Sequence, residues 1–370
     1  MNKLKIVADD RIPFLRGVFE PWCEVVYLPG AKITAADVAD ASALIVRTRT
    51  RCNRSLLQGS RVKIVATATI GFDHIASSDL QELGIKWINA PGCNAASVAQ
   101  YMCAALLKFG DPAGRTLGVI GVGNVGRRVA EVGRTLGMKV LLNDPPRAER
   151  EGETGFVPLS TIRDEADFIT LHVPLETGGR YPTLRMLDAE FFAGIKRGAV
   201  FFNTSRGEAA VGEEVKRALR SGQLSAVVSD VWEHEPGIDL ELLKMAALAT
   251  PHIAGYSTDG KANGTSAAVR AVARELGIPK LTEWRVPELP PPPGGAEYRI
   301  ATKEDYPALR DAVLFSYDPG RDDAALRAAP ESFEALRGGY PVRREFPAFT
   351  VSGGSAAVRA TLGGLGFRLG

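Results

Sequence analysis

Cysteine is scarce in this sequence, and the few thiols form no recognisable pattern. The 370 residues include four cysteines, Cys23, Cys52, Cys93 and Cys103, and their irregular spacing contains no Cys-x-x-Cys pair and no disulfide framework. This excludes a disulfide-stabilised scaffold and fits a reducing cytoplasm. We expect no metal site.

Long apolar runs and an excess of one charge are also missing. No stretch of about 18 apolar residues occurs, and the N-terminal MNKLKIVADD lacks a basic region followed by a long apolar segment, so we expect neither a membrane span nor export. Lysine and arginine total 45 against 43 acidic residues, far from the basic bias of proteins that bind along nucleic acids. We therefore expect no membrane and no nucleic-acid partner, and any anion site must be local.

What is present indicates an α/β protein of two or three domains. The chain is 45% hydrophobic and too long for one ordinary core. Short apolar runs alternate with helix-compatible segments over the first 285 residues, which is typical of parallel sheets wound with helices. One sheet is expected over residues 1–95, and a second after a helix predicted over 96–109. The strand-like runs are LKIVA, ALIVR, KIVAT, LGVIGVG, KVLLN, FITLHVP, AVFFNT and SAVVSDV.

A proline run separates this body from the end of the chain. Residues 289–295 read LPPPPGG, which fits neither a helix nor an inner strand and is typical of a stiff linker. We therefore predict a domain boundary there. Residues 296–370 combine helical stretches with the strand-like AFTVSGG, which predicts a small α+β unit.

A glycine-rich turn follows the strand-like LGVI. Gly121, Gly123 and Gly126 have Gly-x-Gly-x-x-Gly spacing, and the helical RRVAEVGRTLG comes next. The first glycine permits a tight turn, the second lets the backbone approach a pyrophosphate, and the third lets helix and strand pack closely. In this context the motif predicts a dinucleotide-binding fold, and the alternative is a purely structural turn.

An acidic residue ends the next strand-like run, KVLLN. Asp144 lies where a carboxylate accepts hydrogen bonds from the adenosine ribose hydroxyls and repels a 2′-phosphate. NAD is therefore favoured over NADP, although Arg147 lies nearby. The alternative is a helix-capping or turn aspartate before Pro145 and Pro146.

The four histidines, His74, His172, His234 and His252, differ in their sequence context. His252 lies in TPHIAGYS, after an apolar segment and a proline that favours extended backbone, where a side chain can be held rigidly at a cleft. His172 lies in the strand-like ITLHVP and is interpreted as packed or next to the cofactor. His74 and His234 are interpreted as surface residues, so His252 is the leading acid–base candidate.

Two further polar residues follow apolar strands. Arg206 lies in VFFNTSRGE, and Glu235 lies in VVSDVWEHEP. Because ligands bind at the carboxyl ends of parallel strands, these two side chains and His252 can converge there. Taken singly, Arg206 could equally form a surface salt bridge, and Glu235 could be an ordinary loop carboxylate.

The order of GVGNVGRR, NTSRGEAAV, SDVWEHEP and TPHIAGYS resembles the motif series of the D-isomer-specific 2-hydroxyacid dehydrogenase family. Within that family, ATATIGFDH, APGCNAASVAQY, DPPR, GYSTDGKANGT and the additional C-terminal domain resemble the branch that acts on a phosphorylated 2-hydroxy acid. The resemblance implies NAD-dependent oxidation of 4-phospho-D-erythronate to 2-oxo-3-hydroxy-4-phosphobutanoate in pyridoxal 5′-phosphate (vitamin B6) biosynthesis, by a homodimer.

The resemblance also implies residue roles. Arg206 would bind the substrate carboxylate and C2 oxygen, His252 would be the acid/base, and Glu235 its partner, roles that suit the chemistry of these side chains. Val173 departs from the family, which often has threonine there. The positions implied at the substrate are Thr48, Thr69 and Tyr256. The positions implied at NAD are Gly121, Gly123, Asn124, Val125, Gly126, Asp144, Val173, Thr204, Ser205, Asp230 and Gly255.

These observations predict three domains: substrate-binding over 1–95 and 254–285, NAD-binding Rossmann over 96–253, and C-terminal dimerisation over 286–370. Rival interpretations are another D-2-hydroxyacid dehydrogenase, for example one acting on 3-phosphoglycerate or an unphosphorylated acid, and a dinucleotide-sensing corepressor on the same fold.

The basic stretch ALIVRTRTR bears on the substrate phosphate. If residues 43–49 form a strand, alternation places Arg47 and Arg49 on one face and Thr48 on the other, with Arg51 in the following loop. We expect at least one of these arginines to contact the phosphate. The alternative is a solvated basic edge that discourages strand pairing.

Overall fold

The computed structural model describes residues 4–370, and its strands form three sheets whose neighbours all pair in parallel. In chain order the strands are β1 (Lys5–Asp9), β2 (Glu24–Leu28), β3 (Ala43–Val46), β4 (Ile64–Thr67), β5 (Lys86–Ile88), β6 (Thr116–Ile120), β7 (Lys139–Asn143), β8 (Phe168–Leu171), β9 (Ala199–Asn203), β10 (Leu224–Ser229), β11 (Leu248–Ala249), β12 (Glu297–Arg299), β13 (Thr350–Ser352) and β14 (Arg368–Leu369).

The helices follow the strands as expected for a wound α/β chain. They are α1 (Ala35–Val38), α2 (Arg54–Leu57), α3 (Ser77–Glu82), α4 (Ala95–Leu106), α5 (Asn124–Thr135), α6 (Pro145–Glu151), α7 (Leu159–Glu165), α8 (Ala189–Gly194), α9 (Gly212–Arg220), α10 (Leu240–Met245), α11 (Thr258–Leu276), α12 (Asp305–Ser316), α13 (Gly320–Ala328), α14 (Phe333–Gly338) and α15 (Ala356–Leu365). Short 3-10 turns lie at Gly30–Lys32, Leu107–Phe109, Gly207–Ala209, Pro279–Leu281, Pro330–Ser332 and Phe346–Ala348.

The first compact unit runs to Asn94 and includes Ser257–Pro290. Its sheet has the order β2-β1-β3-β4-β5. Apolar residues cover both faces of the sheet: Ile6 packs with Val272 of α11, whereas Val7 on the opposite face packs with apolar residues of α1, α2 and α3. Because both faces are covered, the inner strands are almost continuously hydrophobic.

The second unit comprises Ala95–Tyr256 and Pro291–Gly370, and its main sheet has the order β11-β10-β9-β8-β6-β7. Beyond β7, the backbone N–H of Val157 donates to the Leu142 carbonyl at 2.8 Å and extends this edge. The strand order reverses at β6, which lies between β7 and β8. The carboxyl ends of β6 and β8 therefore form a topological switch point, where open α/β sheets bind ligands.

The C-terminal segment adds the small sheet β12-β13-β14 to this second unit. Its helices are not separate from the body: Ala308 and Val313 of α12 and Leu362 of α15 belong to a buried cluster that includes residues of α4 and α5. The division between the two units falls between Pro290 and Pro291, inside the proline run.

These sheets confirm the predicted fold class of two doubly wound parallel-sheet bodies with a C-terminal α+β part. The helix predicted over 96–109 spans Ala95–Leu106 and continues as a 3-10 turn to Phe109. Sequence reasoning missed β2, β5 and β11 because these edge strands are half-exposed or only two residues long. Across residues 4–370, no helix combines the length and apolar character needed to cross a bilayer.

Candidate active site

The glycine-rich turn joins β6 to α5 and leaves an open approach to the backbone. A Cβ at Gly126 would lie 1.9 Å from the Gly121 carbonyl oxygen, so helix and turn pack too closely for any side chain there. At Gly123 a Cβ would meet nothing within 4 Å, and α5 begins at Asn124 and Val125 without a side-chain cap. An uncapped helix N-terminus beside open space fits a pyrophosphate group.

Asp144 follows β7, and both of its carboxylate oxygens accept backbone hydrogen bonds. Oδ2 accepts from the Val122 N–H at 2.8 Å and Oδ1 from the Arg147 N–H at 3.0 Å, so Asp144 ties the glycine-rich turn to α6. The Arg147 guanidinium pairs with Glu151, with 2.6 Å between Nη2 and Oε2, and also donates to the Val122 carbonyl. Asp144 therefore caps a helix, while its oxygens retain lone pairs for ribose hydroxyls.

Val173, Thr204 and Ser205, predicted at the cofactor, lie just beyond β8 and β9 around His172. The His172 Nε2 lies 2.9 Å from Thr170 Oγ1, and Nδ1 lies 3.3 Å from Thr204 Oγ1. Burial lowers the pKa of His172 to about 3, so its ring is neutral at physiological pH. His172 is thus a packed residue next to predicted cofactor positions, in agreement with its sequence interpretation.

His252 and Glu235 are directly hydrogen-bonded. The His252 Nδ1 and Glu235 Oε2 atoms are 2.8 Å apart, and because a carboxylate only accepts, Nδ1 carries the proton. The Nε2 of the neutral ring is then left as a proton acceptor. Burial raises the Glu235 pKa, but the hydrogen bond and charge of His252, the Trp232 N–H and the Arg337 guanidinium outweigh burial and hold that pKa below its usual value.

Asp230 fixes the loop that carries His252. His252 has a left-handed backbone with φ 55°, which is uncommon outside glycine. Its N–H donates to the Asp230 carbonyl at 2.7 Å, and the N–H groups of Ile253 and Ala254 donate to the Asp230 carboxylate at 2.7 and 3.0 Å. Thr250 Oγ1 adds a fourth hydrogen bond at 2.6 Å. The strained position is therefore fixed by several hydrogen bonds to one buried residue, Asp230.

Arg206 lies on a loop adjacent to this pair. Arg206, Glu235 and His252 follow β9, β10 and β11, which are neighbours in the sheet. The loops after β9 and β10 pack so closely that a Cβ at Gly207 would lie 2.0 Å from the Trp232 carbonyl carbon. The three predicted catalytic residues therefore share one sheet edge, although far apart in sequence. Glu233 does not join them, because its Oε2 accepts from the Gly212 N–H at 3.0 Å.

Gly255 and Tyr256 end the same loop, where side chains of the C-terminal segment surround the tyrosine. The Tyr256 ring packs edge-on against Tyr340, with 5.9 Å between ring centroids. The Arg337 guanidinium carbon lies 5.7 Å from the Tyr256 centroid. The residue predicted to contact substrate is thus in contact with a part of the chain outside the nucleotide-binding sheet.

The predicted substrate residues of the first unit lie beyond β3 and β4. The prediction that residues 43–49 form one strand is wrong: β3 ends at Val46, because the fully buried run ALIV stops where polar side chains begin. Thr48 is exposed in the turn that follows, so strand alternation does not set its direction. Thr69 Oγ1 lies 2.7 Å from Thr67 Oγ1 and donates to the Gly71 carbonyl.

His74 shares this hydroxyl network and is not the surface residue that its sequence context suggested. Its Nε2 lies 3.1 Å from Thr67 Oγ1, and burial lowers its pKa. A loop histidine and a core-facing histidine look alike in sequence when neither has a periodic pattern. His234 is exposed, as predicted.

Four cationic side chains lie at the carboxyl edge of the first unit's sheet or on the helix packed beside it. Arg47 Nη1 donates to the Arg11 carbonyl at 3.2 Å, whereas Arg49 and Arg51 line a cavity of about 500 Å³. Lys261, in the first turns of α11, was missed by sequence reasoning. Burial, together with the charge of Arg47, lowers the Lys261 pKa to about 8.

Three other residues of the second unit were also missed. Trp232 and Thr250 lie inside recognised motifs, but their hydrogen bonds form only in the fold: the Trp232 backbone N–H donates to Glu235, and the Thr250 hydroxyl donates to Asp230. Arg337 lies in α14, and only the fold brings it to Glu235, with 4.0 Å between Nη1 and Oε2.

Comparison with known proteins assigns this arrangement to a family. Residues 98–254 match the model of the D-isomer specific 2-hydroxyacid dehydrogenase NAD binding domain, and residues 289–366 match a domain of unknown function. Erythronate-4-phosphate dehydrogenase from Bacteroides fragilis is 51% identical over 354 residues, 94% of this chain and 99% of the relative. That from Escherichia coli is 40% identical over 372 residues, 98% of each chain. The chain belongs to the erythronate-4-phosphate dehydrogenase family.

A solved structure outside the erythronate-4-phosphate dehydrogenase family shares the fold. D-Lactate dehydrogenase from Aquifex aeolicus, crystallised with NAD and lactic acid, is 26% identical with a TM-score of 0.61, over 75% of this chain and 97% of that one. These findings confirm the predicted family, the NAD cofactor and an NAD-dependent dehydrogenase of the 2-hydroxyacid type. The site-residue roles stay predictions.

Proposed function

We propose that this chain oxidises 4-phospho-D-erythronate to 2-oxo-3-hydroxy-4-phosphobutanoate with NAD, in pyridoxal 5′-phosphate biosynthesis. The observation that carries the proposal is the hydrogen bond between His252 and Glu235 at the sheet edge, in a chain 51% identical to a protein named for this substrate. A dinucleotide-sensing corepressor needs no such acid–base pair.

The reaction removes a proton from the C2 hydroxyl and a hydride from C2. When bound, NAD supplies the hydride-accepting nicotinamide. The His252 Nε2 is the lone-pair acceptor for the hydroxyl proton, and the Glu235 carboxylate stabilises the imidazolium that forms. Arg206 would hold the substrate carboxylate in a two-pronged ion pair. Thr48, Thr69 and Tyr256 are proposed as further substrate contacts.

Recognition of the substrate phosphate is assigned to Arg47 and Lys261. Burial and the charge of Arg47 both disfavour a protonated Lys261, and Arg47 is partly buried. A phosphate dianion beside them would offset their repulsion and hold Lys261 in its charged form. Arg49 and Arg51 instead line the separate cavity with Gly30.

Single substitutions separate these two groups of cations. Arg47→Ala and Lys261→Ala should lower kcat/KM for 4-phospho-D-erythronate by roughly ten- to a hundredfold, the value of a charge-assisted contact, and hardly change that for erythronate. Arg51→Ala is the matched control. If only Arg51→Ala lowered kcat/KM for the phosphorylated acid specifically, the phosphate site would have to lie in the cavity lined by Arg49 and Arg51.

The substrate itself is tested by initial rates of NADH formation. The panel contains 4-phospho-D-erythronate, D-erythronate, 3-phosphoglycerate and D-lactate. We expect the highest kcat/KM for the first compound. A preference for 3-phosphoglycerate would assign the chain to another dehydrogenase of the same type, and no turnover of any acid, with NAD binding intact, would favour the corepressor.

We also propose that the chain forms a homodimer through its C-terminal segment. We propose a cytoplasmic location as well, because a reducing environment would keep its four cysteines as free thiols. Phe315 and Leu369 of this segment are 37% and 43% exposed, large values for apolar side chains. Deleting the segment is a poor test because α12 and α15 are part of a buried cluster. Leu369→Asp should instead reduce the mass measured by light scattering to that of a monomer, whereas Leu240→Asp, in α10, should leave it unchanged.

A further inference from the structure

One arginine of the C-terminal segment lies beside the predicted catalytic pair. Arg337 is on α14, whose first residue, Phe333, is fully buried in the same cluster as Trp232. The helix α14 and the loop that carries Glu235 therefore contribute side chains to one core. The Arg337 Nη1 atom lies 4.0 Å from Glu235 Oε2, the oxygen that accepts the hydrogen bond of His252.

The surroundings of Arg337 favour an electrostatic role over a stabilising one. Its Nη1 donates to Glu334 Oε1 at 3.4 Å, and its guanidinium lies near the rings of Tyr256 and Phe333. Its Nε is buried and has no hydrogen-bond partner in the part of the chain that the structure describes. A buried N–H without an acceptor is unfavourable for folding, so local packing alone does not account for an arginine here.

We propose that Arg337 is a positioning residue of the active site, which orients Glu235 towards His252 and offsets part of its negative charge, and so makes the C-terminal segment a contributor to catalysis. The inference rests on the proposed function. The Arg337 guanidinium and the His252 imidazole both lie next to the same oxygen of Glu235. The charge on Arg337 therefore influences how readily the imidazole takes a proton.

Several charged groups lie around Glu235 and His252. Asp230 and Glu235 come from the loop after β10, and Asp230 interacts electrostatically with His252. Glu334 and Arg337 come from α14, and Arg206 lies on the loop after β9. Arg337 is the cation whose charge acts on Glu235 among these groups. Its removal leaves the surrounding carboxylates less compensated and favours a protonated imidazole.

The pH profile of kcat/KM for 4-phospho-D-erythronate oxidation tests this role. In Arg337→Gln the acid limb should move to higher pH by about 0.2 to 0.7 unit, the range for a partly exposed ion pair. On that limb this shift corresponds to about a 1.5- to 5-fold lower kcat/KM. Arg337→Lys keeps the positive charge, so its acid limb should lie at the wild-type pH. Arg359→Gln removes a cation elsewhere in the same segment and should not move it.

A double-substitution cycle with Glu235→Gln shows whether Arg337 acts through Glu235. The shift caused by Arg337→Gln should be smaller in the Glu235→Gln background, because only the direct effect of the Arg337 charge on His252 remains there. An unchanged limb in Arg337→Gln, or a shift of the same size without the Glu235 charge, would overturn the proposal. A rise in KM alone at every pH would also overturn it and indicate direct substrate contact. If the wild-type chain does not oxidise the substrate at all, the proposed function fails first.

Discussion

The negative charge of Glu235 should contribute to turnover through its hydrogen bond with His252. Glu235→Gln keeps the shape of the side chain and an acceptor for the His252 Nδ1–H, which lies 2.8 Å away, but removes the negative charge. To act as a base the imidazole must start neutral, and in the transition state of oxidation it gains a proton. The carboxylate therefore contributes mainly to the transition state, and its loss should lower kcat more than it raises KM.

The size of this effect follows from the half-buried setting of the pair. A hydrogen bond to a charged group contributes about 1.5 to 3 kcal/mol, which corresponds to roughly a ten- to hundredfold loss in kcat. Steady-state NADH formation at saturating substrate measures it. Glu233→Gln is the matched control, because Glu233 lies two positions away and accepts instead from the Gly212 N–H. Wild-type kcat in a folded Glu235→Gln protein, or an equal loss in Glu233→Gln, would refute the reasoning.

Three further predictions concern the same loops and the cofactor turn. His252→Ala should lower kcat by roughly 10² to 10⁴ and leave the NAD dissociation constant nearly unchanged, as steady-state rates and calorimetry would show; retained turnover would remove His252 from the acid/base role. Asp144→Ala should weaken NAD binding and narrow its advantage over NADP, because it removes an acceptor for the ribose and a negative charge; equal affinities in the wild type would mean that Asp144 acts only as the observed cap. Because the Glu235 pKa is lowered on folding, its charge stabilises the native state above the ordinary value of 4.5 and that contribution is lost as pH falls through the lowered pKa. Denaturant titrations should therefore show the difference in unfolding free energy between wild type and Glu235→Gln shrinking as the pH falls below about 4.5, and a constant difference would contradict this linkage.

The sequence predicted those features that depend on local pattern. The glycine spacing, the apolar inner strands and the polar residues just beyond them indicated the switch point and the edge where Arg206, Glu235 and His252 lie. Edge strands such as β2 and β5 were missed because they are partly exposed to solvent. The end of β3 at Val46 was missed because Thr48 and Thr50, which follow it, are of a residue type that favours strands.

Residues that act through the backbone or across the fold carried no such pattern. Asp230 was recognised only as a cofactor position, yet three consecutive backbone N–H groups bind it and fix His252 in a left-handed conformation. Arg337 lies in an ordinary helical stretch, and only the packing of Phe333 brings it to Glu235.

If the chain oxidises 4-phospho-D-erythronate, the hydrogen that leaves C2 must appear in the NADH that is formed. Mass spectrometry of the NADH formed from substrate deuterated at C2 measures this transfer. We expect NADH that carries one deuterium, together with slower turnover if hydride transfer limits the rate. NADH without deuterium, or no NADH from this substrate while another 2-hydroxy acid is oxidised, would contradict it.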